Sequence, residues 1–244
     1  MSPPDIVSGD YLRERQEPLH GDAMYLHLSD LLLGIKQILP AIQPKRVLDY
    51  GCGGSPYRFL FPQASYIRAD LPHIENLDHI IKPDGTVDVS SGTVDLVISS
   101  QVLEHVPDPA VYLAECHRVL EPGGALILST HGLFPDHGCP YDFQRWTADG
   151  LRRAVETAGF KIESLKKMTS NRRALAFYQD QYSRFLKKNK KTLFGFIYWM
   201  LHLAITQRRA HYHRWCDEYL SDCRVVDASS NHGFYVGLIV KAIK

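Results

Sequence analysis

Apolar residues along this chain recur in two periods, and the two periods alternate. From Leu26 to Leu39, the residues Leu28, Leu31, Leu32, Ile35, Ile38 and Leu39 fall at helical spacing, and Pro40 and Pro44 close the segment. That pattern predicts an amphipathic helix packed just ahead of the first strand. The runs RVLDY, SYIRAD, VDLVISS and ALILST follow, short and rich in β-branched and aliphatic residues, separated by turn signals and helical stretches. Alternation of this kind predicts a parallel sheet covered on both faces.

The later elements carry their own punctuation. Asp108 is placed to cap a helix that Pro109 opens, with Leu113, Cys116 and Leu120 on one face, and Pro122-Gly123-Gly124 predicts a turn into ALILST. A second helix starts at Thr147, turns Leu151, Ala154, Val155 and Ala158 inward, and stops at Gly159. FKIESL then reads as a strand, and GFYVGLIVKAI, alternating Phe234, Val236, Leu238 and Val240, as a closing strand. Between these two late strands lies an insertion, roughly 171–227, too long for a tight connection and expected to be helical. The chain thus reads as one domain: an N-terminal helical cap (1–44), a core (45–170), the insertion as a lid (171–227) and the closing strand (228–244).

With 244 residues, 45% hydrophobic and 23% charged, the chain can bury a substantial core. A formal charge of +1 removes the main argument for nucleic acid as a partner. Five cysteines, Cys52, Cys116, Cys139, Cys216 and Cys223, form an odd set without CxxC spacing, which predicts free thiols and a cytoplasmic location. The N-terminus shows no apolar signal core, and no run reaches the ~20 apolar residues of a membrane span.

The chemistry concentrates in VLDYGCGGSPY, Val47 to Tyr57, a strand running into a glycine-rich turn. Gly51, Gly53 and Gly54 let backbone approach a ligand, and Ser55 before Pro56 predicts a helix N-cap, whose amides attract negative charge. Two occupants suit such a turn: a dinucleotide pyrophosphate, or the amino-acid end of S-adenosylmethionine. Counting from Gly51, the third glycine of a dinucleotide fingerprint falls on Pro56. Asp49 weighs further against a pyrophosphate, because its carboxylate repels phosphate but binds an ammonium. Asp70, at the end of SYIRAD, is placed to accept hydrogen bonds from ribose hydroxyls, a role that serves either cofactor.

VLDYGCGG, followed by SSGTVDLVISSQVLEHVPDPAVYLAECHRVLEPGGALILST, resembles the class I S-adenosylmethionine-dependent methyltransferases over about Arg46 to Phe160. The resemblance implies an α/β, Rossmann-like doubly wound sheet, mostly parallel with an antiparallel last strand. It implies S-adenosyl-L-methionine as cofactor, with Asp49, Gly51 and Gly53 at its methionine end. Asp70 and Leu71 then lie at the ribose, Asp84 and Gly85 at the adenine with Asp88 as rival, and Ser99, Ser100 and Gln101 along its border. The stretches STHG and CPYDFQRWTADGLRRAVETAGF are similar to methyltransferases of bacterial saccharide biosynthesis. The function so implied is O-methylation of a saccharide or related hydroxylated metabolite. A quinone, lipid or natural product as acceptor remains open, as do a non-catalytic binding protein and an NAD-dependent enzyme.

Methyl transfer to a hydroxyl benefits from a base, and His131, His105 and His137 are the candidates. His131 leaves a core strand at the carboxyl edge of the sheet and is preferred; His105 reads equally as a residue tying down its loop, and His137 as a loop histidine. Tyr141 and Arg145 in YDFQRWT suit a carbohydrate ring. The alternative there has Phe143 and Trp146 wedged into the core and Arg145 paired with an acid. Neither His131, His137 and Cys139 nor His211, His213 and Cys216 supplies four metal ligands at a recognised spacing, so no metal is expected. Cys216 and Cys223 read as sharing a buried helix face. Within the insertion, apolar Leu193 to Ile205 stands between Lys187, Lys188, Lys190 and Lys191 on one side and Arg208 and Arg209 on the other. The 187–209 segment suits a peripheral membrane contact, or a lid or homodimer surface with a solvated basic rim.

Overall fold

The structure, a computed structural model, describes residues 8–39, 44–138, 141–182, 193–229 and 233–244. Two helices, α1 (Gly9–Gln16) and α2 (Tyr25–Ile38), precede the sheet. The core runs β1 (Arg46–Tyr50), β2 (Ser65–Asp70), β3 (His79–Ile80), β4 (Val94–Ser100), α3 (Pro109–Val119), β5 (Leu120–His131), α4 (Ala148–Thr157) and β6 (Lys161–Ser170). The insertion contributes α5 (Asn171–Tyr182), α6 (Leu193–Gln207), α7 (Arg209–Tyr219) and the short β7 (Val225–Asp227), before β8 (Tyr235–Ile243) closes the fold.

The strands form one eight-stranded sheet in the order β3-β2-β1-β4-β5-β8-β6-β7. β1 pairs in parallel with β2 and β4, and β4 with β5, while β8 lies antiparallel between β5 and β6. Strand order therefore reverses beside β1, and the crevice at the carboxyl ends of β1 and β4 is where open α/β sheets take ligands. One face is sealed by α3 and α4, with Leu113, Cys116, Leu151 and Val155 packed on Leu48, Val97 and Leu128. On the other, α2 lays Leu31, Leu32, Ile35 and Ile38 over Val47, Leu96, Ile98 and Ile239. Burial from both sides explains why the central strands read as near-continuous apolar runs.

Four sequence expectations are corrected here. Ser55 caps no α-helix: it sits at φ +55° and accepts a hydrogen bond from Arg68 Nε at 2.9 Å, and only a three-residue 3-10 turn, Arg58–Leu60, follows. Two prolines, Pro56 and Pro62, leave no room for more. The Pro122-Gly123-Gly124 turn lies inside β5, where Leu120 pairs with Val94 and Ala125 with Leu96 and the residues between bulge out. Phe234 is 59% exposed, because the strand begins only at Tyr235; Val236, Leu238 and Val240 are buried as expected. Cys216 lies on α7 and Cys223 in the 3-10 turn after it, both buried with free thiols, so they share no single helix.

A buried ionic network ties the N-terminal helices to the insertion. Asp30 on α2 accepts from Arg173 Nε on α5 and from Arg224 Nε, both at 2.7 Å, and Arg173 also reaches Asp217 on α7 at 2.8 Å. Among the described residues, no helix is long and apolar enough to cross a membrane.

Candidate functional site

The carboxyl end of β1 delivers Asp49 to the crevice, nearly buried, its Oδ2 accepting from Tyr66 Oη at 2.7 Å. Burial pushes the Asp49 carboxyl up to about 7, a rise that the Tyr66 hydrogen bond opposes and neighbouring Asp70 reinforces. Arg68, on the adjacent strand, directs its guanidinium elsewhere: to Ser55 Oγ, to Gly53 O at 3.0 Å and to Asn76 O at 2.5 Å. It staples the glycine turn from outside.

Within that turn Gly51 has φ +76°, and a Cβ there would stand 2.5 Å from Val102 Cγ2. The position is open to glycine alone. Gly53, at φ +48°, donates its N–H to Asp70 Oδ2 at 2.6 Å, and Leu71 N–H donates to Asp70 Oδ1 at 2.7 Å. Asp70 thus ties the glycine turn to the end of β2, and burial raises its pKa despite the two amides.

The remaining expected cofactor residues surround this core unevenly. Gly85 (φ +80°) accepts at its carbonyl from Tyr50 Oη at 2.5 Å, which draws the loop after β3 to the mouth of β1. Asp84 is exposed and accepts from Thr86 N and Oγ1; Asp88 is exposed too. Ser99 is buried and donates to Tyr50 O at 2.7 Å, a bond that braces β1 against β4. Ser100 Oγ lies 3.0 Å from Ser129 Oγ.

Gln101, at φ +57°, opens the second half of the site. Its Nε2 lies 2.6 Å from His27 Nε2 and 2.8 Å from His131 Nε2, joining α2 to the end of β5. His131 is buried and stacks on Phe134 with ring centroids 3.9 Å apart; His137 meets both rings edge-on. His131 Nδ1 stands 2.6 Å from Glu104 Oε1, out of line for a hydrogen bond, while Glu104 Oε2 accepts from Thr130 Oγ1 at 2.8 Å. Burial would raise the Glu104 carboxyl, but the charge attraction of His131 and His105 outweighs it and holds the group down at about 2. Burial and neighbouring histidines push His137 down to about 4.

His105 bonds through Nδ1 to the carbonyl of Tyr141 at 2.5 Å and so ties down its loop. Tyr141 itself is 66% exposed. Arg145 is committed to Asp142 and to the carbonyls of Phe134 and Pro135, and Trp146 packs against the core while Phe143 remains exposed. Arg145 therefore shapes the loop that carries His137. Of the other metal-like grouping, His211 is exposed whereas His213 and Cys216 are buried; Cys139 and Lys187 to Lys191 lie outside the described residues. Sequence reasoning passed over Glu104, His27 and Arg68. An acid within LEHV and a histidine within the apolar run YLHLSDLLL were the available signals.

Residues 25–165, more than half of the chain, match the sequence model of a family described as a methyltransferase domain. The chain belongs to this methyltransferase family, whose cofactor is S-adenosylmethionine. The crevice suits that cofactor: a buried carboxyl raised to about 7 gains from an arriving ammonium. Among relatives, a protein of Mycolicibacterium smegmatis named "Probable S-adenosylmethionine-dependent methyltransferase" is 36% identical over 107 residues, covering 41% of this chain and 38% of that one. The ubiquinone biosynthesis O-methyltransferase of Paracidovorax citrulli is 27% identical over 150 residues, 53% of this chain and 62% of the relative. The match thus spans between about two-fifths and three-fifths of these relatives' lengths. In fold, the chain is similar to an S-adenosylmethionine-dependent methyltransferase from Mesorhizobium loti, with a TM-score of 0.52, 17% identity, and coverage of 92% of this chain and 99% of that one.

Proposed function

We propose that this protein methylates an oxygen of a hydroxylated small molecule, a saccharide or a related metabolite, at the crevice where β1, β4 and β5 end. The observation that carries the proposal is the adjacency of two unlike half-sites. An acid-and-glycine cradle at β1 suits a ligand with an ammonium and a carboxylate, and a buried histidine–glutamate cluster lies beside it at the ends of β4 and β5.

S-adenosylmethionine, when bound, supplies a methyl group activated by a sulfonium, so the demand on the protein is alignment and exclusion of water. Asp49 takes the ammonium; Gly51 and Cys52 N–H donate to Ala69 O and Gly53 N–H to Asp70, so within the glycine turn it is the Gly54 amide that suits the carboxylate. Asp70 retains acceptor capacity beyond the two amides that it binds, which suits ribose hydroxyls. Gln101, held between His27 and His131, fixes the border between the two half-sites. His131 orients the acceptor side through its neighbours, since it is buried and both ring nitrogens face protein groups.

A second acceptor class, a hydroxylated quinone precursor or a lipid-linked molecule, draws support from two observations. Relatives include ubiquinone biosynthesis O-methyltransferases, and α6 exposes Leu193, Phe194, Phe196, Ile197 and Met200. Such a face suits contact with a membrane surface or an apolar acceptor tail. The test is transfer of labelled methyl groups to a panel of saccharides and of catechol-like quinone precursors, with and without vesicles. Incorporation into one class identifies the acceptor; absence of incorporation into every hydroxylated acceptor, with cofactor bound, overturns the proposal.

A further inference from the structure

Glu104, His131 and His137 offer one ligand atom each, all within 4.8 Å of one another. They come from three separate segments: the turn after β4, the last residue of β5, and the loop beyond it. Glu104 and His131 are buried and His137 partly so.

Three atoms here lack hydrogen-bond partners: Glu104 Oε1, His131 Nδ1 and His137 Nδ1. A buried polar atom left unpaired costs about 1–3 kcal/mol, and natural folds seldom tolerate several together. The 2.6 Å approach of Glu104 Oε1 to His131 Nδ1 is a charge contact between carboxylate and imidazole rather than an aligned hydrogen bond. The nearest acid to His137, Asp142 Oδ2, lies 3.4 Å from Nδ1 and is already engaged by the His137 backbone N–H and by Arg145. One cation between the three groups would meet a ligand atom of each.

The surroundings are arranged as an outer shell requires. Thr130 Oγ1 donates to Glu104 Oε2 and fixes the carboxylate, leaving Oε1 free. Gln101 holds His131 at Nε2, so the ring presents Nδ1 to the cluster. A half-turn of the Gln101 amide puts its oxygen opposite both His27 Nε2 and His131 Nε2, where each ring can donate, as a metal-bound imidazole does.

We propose that Glu104, His131 and His137 bind a divalent first-row transition-metal ion with at least one coordination position open to the acceptor. Two imidazoles and one carboxylate select Zn2+, Mn2+ or Fe2+ over Mg2+ or Ca2+, which favour oxygen-only shells. The role of the ion rests on the acceptor reading given above. A hydroxyl bound at the open position is held in place and loses its proton to solvent more readily. The ion thereby supplies the activation that the enclosed His131 ring cannot provide as a free base.

The experiment strips the purified full-length protein with a chelator and titrates it calorimetrically with Zn2+, Mn2+ and Mg2+. Co2+ absorption serves as an independent report of imidazole ligation. The expected result is one Zn2+ per chain, with Mg2+ far weaker, and at least about a tenfold loss of affinity in H137A and in E104Q. H137A changes a loop residue, and exposed His211→Ala is the control expected to bind as the wild type does. Circular dichroism and S-adenosylhomocysteine binding, measured on the same preparations, separate a lost metal site from a lost fold or cofactor site. Substoichiometric Zn2+, or unchanged affinity in both H137A and E104Q, overturns the metal site and leaves the methyltransferase reading intact; lost cofactor binding with metal retained does the reverse.

Discussion

Replacing Asp49 by Asn removes a carboxylate that the free protein holds against its own stability. The side chain is nearly isosteric and keeps an oxygen to accept from Tyr66, so no cavity opens and no hydrogen bond is lost. Burial raises the Asp49 pKa from 3.8 to about 7. Because the folded value lies above the unfolded one, the folded chain holds the proton more tightly, and stability falls as pH rises from about 4 to about 7, then levels off. At about 1.4 kcal/mol per unit, the penalty grows by on the order of 2–3 kcal/mol between about pH 5 and about pH 8. Urea unfolding of both proteins at these two pH values therefore shows D49N more stable at the higher pH, with the gap shrinking by that amount at the lower. The same substitution removes the anion that meets the cofactor's ammonium. A charge-assisted hydrogen bond contributes about 1.5–3 kcal/mol, so S-adenosylhomocysteine binds on the order of 10- to 100-fold more weakly at the higher pH. A variant less stable than wild type at about pH 8, or a stability gap independent of pH, would refute the reasoning, because Asp49 would then already have a partner cation.

Three further expectations concern the same crevice and its supports. Binding of S-adenosylhomocysteine to the wild type weakens as pH falls through about 7, and Tyr66→Phe moves that midpoint upward by removing a bond that favours the Asp49 carboxylate; calorimetry across pH checks both. Gly51→Ala sets a methyl group 2.5 Å from Val102 Cγ2 at φ +76°, so it lowers thermal stability by several degrees and abolishes cofactor binding; adding Val102→Ala recovers part of the stability, measured by calorimetric melting. Asp30→Ala leaves Arg173, fully buried, and Arg224 without their shared acid and costs about 3–5 kcal/mol in urea unfolding, loosening the insertion from α2.

Much of the sheet is legible from sequence, because strands buried on both faces are short apolar runs and the helices between them carry their own caps. Asp108 and Thr147 cap where their positions predict, accepting from Val111 and Gly150 amides. The antiparallel last strand follows only from the resemblance, since alternation fixes a strand but not its direction. Asp49 and the glycines stand out for a local reason: their chemistry is carried by consecutive residues. Ser55 misleads because the residue that decides its conformation, Arg68, lies one strand away. Glu104 and His27 stay hidden for the same reason. A turn residue and a helix residue become neighbours of His131 only when β4, β5 and α2 are brought together, and no spacing in the sequence encodes that meeting.

A crystal structure of the protein with S-adenosylhomocysteine tests the central claim most directly. The account predicts the ligand's amino group within about 3 Å of the Asp49 carboxylate, its carboxylate at the Gly54 amide of the glycine turn, and its sulfur facing Gln101 and the histidine cluster. A ligand whose amino-acid end lies away from Asp49, or a crevice that takes a nicotinamide dinucleotide instead, would contradict it.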